Sequence, residues 1–193
     1  MPEKPRGLSF DSITTKTGDD GTSAIFSGER LPKDDAAFEA LGDLDELKSI
    51  LGLLRAEVLT AVQTGAAAGA ARAAPAPLLE SIQATLTKLL SLVATTPGSA
   101  LYGKLAQVTE DDISRLEEAQ RMLLDSTPIS PEWINPGVNR AEATAHLCRT
   151  VARRAERRVV TVIRERNRTD LGPALRYLNR LSDLLFVIAC GMR

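Results

Sequence analysis

Apolar residues recur three or four apart along most of the chain, and little of it alternates as a strand would. Leu41, Leu44, Leu47, Leu51, Leu54 and Val58 predict a first helix from about Asp34 to about Leu59. Asp45, Ser49, Gly52 and Ala56 run beside that stripe as small residues, over which another helix can approach closely. Residues 61–77 are rich in Ala, Gly and Pro and read as a linker. Leu79, Ile82, Leu86, Leu89, Leu90 and Val93 predict a second helix from roughly Leu78 to Ala94, stopped by Thr95-Thr96-Pro97-Gly98. A third starts at the N-cap Thr109, with Asp112 in its first turn, carries Ile113, Leu116, Leu123 and Leu124 inward, and ends before Pro128. A fourth spans Asn139 to Arg164, and a fifth runs from about Pro173 to about Cys190 on Leu175, Leu178, Leu181, Leu185 and Ile188. Five helices with mostly short connections predict an all-α, up-and-down bundle. Residues 14–193 form one domain in this reading, and residues 1–13 a flexible arm.

The fourth helix organises the rest. Turned about 100° per residue, it puts Thr144, Leu147, Val151, Ala155, Val159 and Val162 on a core face. Glu142, His146, Arg149, Arg153, Glu156 and Val160 fall opposite. Arg149 and Arg153 repel weakly at four apart, and Glu156 balances one of them. Such a face is ordinarily just solvated. Here it holds five arginines and no lysine within the ten residues 149–158. The planar guanidinium fork suits phosphate oxygens, so this helix is a candidate polyphosphate clamp.

Composition narrows the classes. Hydrophobic residues make up 44% of the 193 positions but aromatics only 4%, so the core is built from Leu, Val, Ile and Ala. The net charge of −1 argues against a nucleic-acid binder, which should be basic overall. Cys148 and Cys190 cannot make a disulfide framework; they read as small buried side chains in a reducing compartment. No apolar run of about 18 residues spans a membrane, and the start carries neither a signal-peptide core nor a convincing transit peptide. A di-iron bundle needs two Glu-x-x-His motifs, and the single histidine, His146, cannot supply them. His146 reads as a helix surface or interface residue, and no metal ligand is assigned.

Thr15-Lys16-Thr17-Gly18-Asp19-Asp20-Gly21-Thr22-Ser23-Ala24 has glycines, hydroxyls and a lysine suited to an anion, without the Walker A spacing. On composition alone it is equally a surface turn. The only tryptophan, Trp133, lies on a Pro-stiffened connector from Ile129 to Gly137 and could be a lid over the bundle end.

Four stretches carry a family resemblance: Thr15 to Gly21, Gly42-Asp43-Leu44-Asp45-Glu46-Leu47, Arg153-Arg154-Ala155-Glu156-Arg157-Arg158, and Asn179 to Phe186. Together they resemble PduO-type ATP:cob(I)alamin adenosyltransferases over about residues 13 to 190. The segment Gly28 to Asp35 looks especially like the mitochondrial animal enzymes.

The resemblance implies a ferritin-like homotrimer with active sites between subunits. It implies adenosyl transfer from ATP to cob(I)alamin, with Mg²⁺ assisting and triphosphate released. It assigns ATP binding to Thr15, Lys16, Thr17, Gly18, Asp19, Asp20, Gly21, Thr22, Ser23, Ala24 and Lys33, and to Arg153, Arg154, Ala155, Glu156, Arg157 and Asn179. It makes Arg153, Asp45 and Arg149 the catalytic residues, with Arg153 the clamp and Asp45 and Arg149 matching an intersubunit salt bridge. Trp133 and Asp183 belong to the cobalamin side. There the sequence departs: Trp133 replaces a usual Phe, and Asn135-Pro136-Gly137-Val138 replaces Leu-Pro-Gly-Gly. A reductase and a B12-dependent acceptor enzyme are the further partners, with no nucleic acid and no membrane. The compartment is cytoplasm if bacterial and mitochondrial matrix if eukaryotic. The competing class is a non-enzymatic bundle that binds ATP or cobalamin without transfer.

Overall fold

The computed structural model describes residues 7–64, 74–127, 129 and 131–193. A helical turn, α1 (Phe10–Ile13), leads into a two-stranded antiparallel hairpin, β1 (Thr22–Ala24) and β2 (Arg30–Pro32). Five long helices follow: α2 (Ala36–Thr64), α3 (Ala76–Val93), α4 (Glu110–Ser126), α5 (Arg140–Arg166) and α6 (Gly172–Gly191). α2 packs on α3 and α5, α5 on α6, and α6 on α4. Lys88 of α3 grips the Asp112 carboxylate of α4 at 2.9 and 3.0 Å, so the order around the bundle is α3, α2, α5, α6, α4. No described helix is long and apolar enough to cross a membrane.

Packing holds α2 in place. Leu44, Leu47, Leu51 and Leu54 are fully buried, each contributing about 1.5–3 kcal/mol. The helix continues past the expected end at Leu59 to Thr64, and α3 begins at Ala76. Residues 61–64, 76 and 77 of the expected linker are therefore helical, and its centre, 65–73, lies outside the described residues. The little strand there is lies in this hairpin, whose three residue pairs, Thr22–Pro32, Ser23–Leu31 and Ala24–Arg30, are too few to show as alternation.

Helix ends follow the sequence. Thr109 and Asp112 form a reciprocal capping box on α4. Asn139 caps α5, accepting the Glu142 N–H at 2.9 Å. Asn167 ends α5 in the left-handed region at φ 50°, which Asn tolerates. The turn into α6 is locked by the buried Arg168. Its guanidinium donates to the Leu92 carbonyl at 2.7 Å and to Asp170, which also accepts the Tyr102 hydroxyl at 2.6 Å.

On α5, Thr144, Val151, Ala155, Val159 and Val162 are buried as expected, but the buried face is wider than that stripe and leaves Leu147 out. Leu147 is 48% exposed, whereas Ala145, Cys148 and Ala152 are fully buried. α5 is wedged between α2 and α6, so it buries two flanks, and small residues let both neighbours approach. The same wedge buries Glu142 and His146, which the helical wheel set on the outer face. Leu124 of α4 is likewise exposed, and Leu41, Leu90, Leu123 and Leu175 are only half-buried at the bundle margin.

Candidate functional site

The arginines of α5 fall into two rows. Arg154 pairs with Asp43 and Glu46 of α2, and Arg158 pairs with Glu39 and, at 3.8 Å, with Asp43. These two are spent on holding α2 to α5. Arg149 and Arg153 make no ion pair with any described residue, and the Arg149 Nε is buried without a hydrogen-bond partner. Arg157, one turn on, donates to the Arg153 carbonyl at 3.1 Å. The row 149, 153, 157 therefore presents positive charge that α2 does not neutralise. Arg154, expected among the ATP ligands, is instead occupied by carboxylates. Ala155, also expected there, is fully buried, and its methyl group offers a ligand no polar contact.

The unpaired row opens on a cleft of about 240 Å³ lined by Gln120, Arg149, Arg153, Ser182, Asp183 and Phe186. A second cleft of about 400 Å³ continues from it over Glu117, Gln120, Arg121, Leu124, Arg180 and Asp183. Asp183 and Gln120 line both. A hydrogen-bond chain borders them: Asn179 Nδ2 donates to Glu156 Oε1 at 3.1 Å, Arg180 donates to Asn179 Oδ1 at 2.7 Å, and Arg180 Nε reaches Glu117 at 2.9 Å. The structure thus brings together Glu156 and Asn179, chosen on separate helices from sequence. Gln120 was missed, because nothing in its neighbourhood marks a polar residue on α4 as facing α5.

Behind the cleft sits His146, buried rather than at the surface. Its ring meets Phe186 edge-on, with centroids 6.4 Å apart, and its Nε2 is 3.6 Å from Glu142. Burial lowers its pKa, Glu142 raises it, and Arg149 and Arg193 lower it; the net is downward.

The N-terminal loop is a braced structure. Asp20 accepts from the Thr22 N–H at 2.9 Å and the Thr22 hydroxyl at 2.8 Å. Arg30 donates to the Thr17 carbonyl and the Thr22 hydroxyl, a bracing role the sequence reading did not assign. Gly18 lies close to its neighbours: a Cβ there would be 3.1 Å from the Thr22 carbonyl oxygen, which is backbone, and 3.0 Å from the Lys33 ammonium. Lys33 and the Gly18 backbone are thereby brought side by side. Gly21 adopts φ 81°, a left-handed turn that suits glycine. Thr15, Lys16, Thr17, Asp19 and Ala24 are exposed on the same loop, and Ser23 is half-buried.

This loop and the free arginines stand at different levels of the bundle. Asp35, two residues beyond Lys33, pairs with Arg166 at the end of α5 at 2.8 Å. Arg153 lies thirteen positions earlier on that helix, about 20 Å along its axis. Asp45 is exposed and makes no contact with Arg149 within the chain. Trp133 is 93% exposed, so it does not cover the bundle end as a lid. Among the described residues, no cluster of three His, Cys, Asp or Glu could hold a metal ion.

Comparison with known proteins adds a family. The model of the cobalamin adenosyltransferase family matches residues 13–192. The chain is 39% identical over 179 residues to the human corrinoid adenosyltransferase MMAB, covering 92% of this chain and 67% of that protein. It is 37% identical to a corrinoid adenosyltransferase of Citrobacter freundii, covering 92% of each. Its fold matches a variant PduO-type ATP:corrinoid adenosyltransferase from Lactobacillus reuteri complexed with cobalamin and ATP. There the TM-score is 0.79 at 28% identity, over 93% of this chain and 92% of that one.

Proposed function

The chain belongs to the cobalamin adenosyltransferase family, and on that premise we propose how its own residues transfer the 5′-deoxyadenosyl group of ATP to cob(I)alamin. The observation that carries the reading is the Arg149–Arg153–Arg157 row, free of ion pairs with described residues, beside a cleft lined by Asp183 and Phe186. Co(I) is itself the nucleophile. Its electron pair forms the Co–C bond to C5′ while the C5′–O bond breaks, and triphosphate leaves with the bonding electrons. No Ser, Cys or His nucleophile is required, because the substrate metal carries the hard step.

The protein's task is then to hold C5′ over cobalt and stabilise the charge on the leaving triphosphate. Arg153 and Arg157 supply forked donors for phosphate oxygens. Glu156 and Asn179, already hydrogen-bonded to each other, suit the hydroxyls and base of a nucleoside. Lys33 against Gly18, with the hydroxyls of Thr15 and Thr17, suits the far end of the same triphosphate. Mg²⁺ would come with the nucleotide, as it does where substrate phosphates supply most of its ligands, and would neutralise charge on the leaving group.

The separation of about 20 Å along α5 between the loop's anchor and Arg153 supports a site shared by two subunits, each giving one half. Asp45 of one subunit then pairs with Arg149 of the next, in a homotrimer. Trp133 would fill the space beneath the corrin and exclude the cofactor's own axial base, which makes Co(II) easier to reduce. A reductase and a B12-dependent acceptor enzyme complete the path. The working compartment is the cytoplasm for a bacterial chain and the mitochondrial matrix for a eukaryotic one.

Mixing the protein with ATP, Mg²⁺ and reduced cobalamin tests the reaction: Co–C absorbance should appear with one triphosphate per turnover. Binding of both substrates without triphosphate release would leave only a carrier. The Trp133 assignment is read separately, from the visible and EPR spectra of cob(II)alamin bound with ATP. Trp133→Ala should lose the four-coordinate signal and Trp133→Phe should keep most of it. A full signal in Trp133→Ala would move the lower face elsewhere.

A further inference from the structure

The least expected buried group is Glu142, in the first turn of α5. Its carboxylate is fully buried, a state that carries a large desolvation penalty unless every lone pair is used. Oε2 accepts the N–H of Gly137 at 2.6 Å and of Val138 at 3.2 Å. Oε1 meets the Arg193 guanidinium at 3.2 Å, and the same Arg193 nitrogen donates to the Asn135 carbonyl at 3.3 Å. Asn139, capping α5 with its Oδ1, donates through Nδ2 to the Met192 carbonyl at 2.6 Å. Residues 135–139 are thus fastened from inside, on one side by a buried charge and on the other by the end of α6.

Helix capping does not explain this. Asn139 already caps α5, so Glu142 is free to serve the loop instead. The corner it grips is special: Gly137 has φ +116°, a conformation that L side chains rarely adopt. Four residues upstream, the same connector carries an indole that is 93% exposed and gains nothing from its own bundle. A loop bearing so large an exposed apolar group would lower its free energy by folding the ring onto protein. The hydrogen bonds to Glu142 restrain the loop's downstream end from within the chain.

We propose that Glu142 is a positioning residue that acts through the Gly137 and Val138 amides to hold the Trp133 loop in its outward, substrate-facing arrangement. The link to substrate rests on the proposed placement of Trp133 beneath the corrin; the link between Glu142 and the loop does not. The amides of Gly137 and Val138 point at the carboxylate, and Arg193 supplies the countercharge.

The test uses the ligand-free protein with Glu142→Ala and the near-isosteric Glu142→Gln. Amide hydrogen exchange is followed in residues 131–139 and, as a control, in residues 44–54 of α2. Because Trp133 is the only tryptophan, its fluorescence anisotropy reads the loop directly. In Glu142→Ala the loop amides should exchange about ten- to a hundredfold faster, as expected for losing hydrogen bonds to a charged acceptor. Anisotropy should fall, Glu142→Gln should recover part of both, and α2 should be unchanged. Unaltered loop exchange and anisotropy, or protection lost equally in α2, would overturn the proposal. Steady-state kinetics then separate it from the functional reading. Glu142→Ala should raise KM for cob(I)alamin and leave KM for ATP unchanged. A loosened loop together with normal cob(II)alamin spectra in Trp133→Ala would refute the lower-face assignment while leaving Glu142 as the loop's anchor.

Discussion

Neighbouring arginines on one helix have opposite duties here, and substitution should separate them. Arg153 meets no carboxylate among the described residues and lines the cleft, whereas Arg154 is held by Asp43 and Glu46. Arg153→Ala should therefore lower kcat/KM by an amount equivalent to about 2–4 kcal/mol while the melting temperature stays within a few degrees. Arg153→Lys should recover little, because a point charge cannot fork two phosphate oxygens. Arg154→Ala should do the reverse. Its ion pairs are part-exposed and screened, so it should cost about 0–1 kcal/mol of stability in urea unfolding and leave KM for ATP near normal. If Arg154→Ala abolished ATP binding and Arg153→Ala did not, the phosphate clamp would lie on the row that faces α2. Helical spacing alone cannot make this distinction. Arg153 and Arg154 are adjacent in sequence, and only the acids on α2 decide which is spent.

At the scale of elements, α3 and α4 are joined through one carboxylate. Asp112 caps its own helix through Thr109 and accepts the Lys88 ammonium from α3. Burial alone would raise its pKa, but the Thr109 N–H, the Lys88 ammonium and the Thr109 hydroxyl outweigh burial and set it below the usual carboxylate range. A depressed folded-state pKa means the stabilisation is present above the unfolded-state value, near 4, and is lost as pH falls through the folded value. Asp112→Asn should cost about 1–3 kcal/mol at pH 7. The difference from the parent chain should shrink as unfolding is repeated toward pH 3. A difference that stayed constant with pH would show that the carboxylate charge contributes nothing. This cap was legible in sequence, because Thr109 and Asp112 stand at the required spacing just ahead of an apolar run. The five long helices were legible for the same local reason. The hairpin was not, since Thr22–Ala24 and Arg30–Pro32 are held by Arg30, Lys33 and the end of α3 rather than by their own pattern. Nor was the burial of Glu142 and His146, which follows from α5 having two neighbours where a helical wheel assumes one.

At the scale of the whole molecule, the question is whether one chain can carry the reaction. Its phosphate-loop candidate is tied by Asp35 to Arg166, and its unpaired arginines begin about 20 Å back along the same helix. Asp45 is exposed on α2, and neither it nor Arg149 makes an ion pair with a described residue, so each is open to a group from another chain. If they meet between subunits, Asp45→Asn and Arg149→Ala should be strongly non-additive in a double-mutant cycle on assembly. Breaking such a pair from either side costs about 3–5 kcal/mol when it is buried. The sharper experiment uses two inactive chains. Lys33→Ala damages the loop and keeps the arginines, and Arg153→Ala does the opposite. Co-refolded in equal amounts, they pair at random around a head-to-tail ring. A site that takes its loop from the second chain and its arginines from the first is then intact. Such sites make up about a quarter of all interfaces, so activity should return to about a quarter of the parent value. If each site lay within one chain, every site in the mixture would keep its defect, and activity would stay at the level of the separate variants. That outcome would return the whole reaction to a single bundle and remove the reason for Asp45 to face outward.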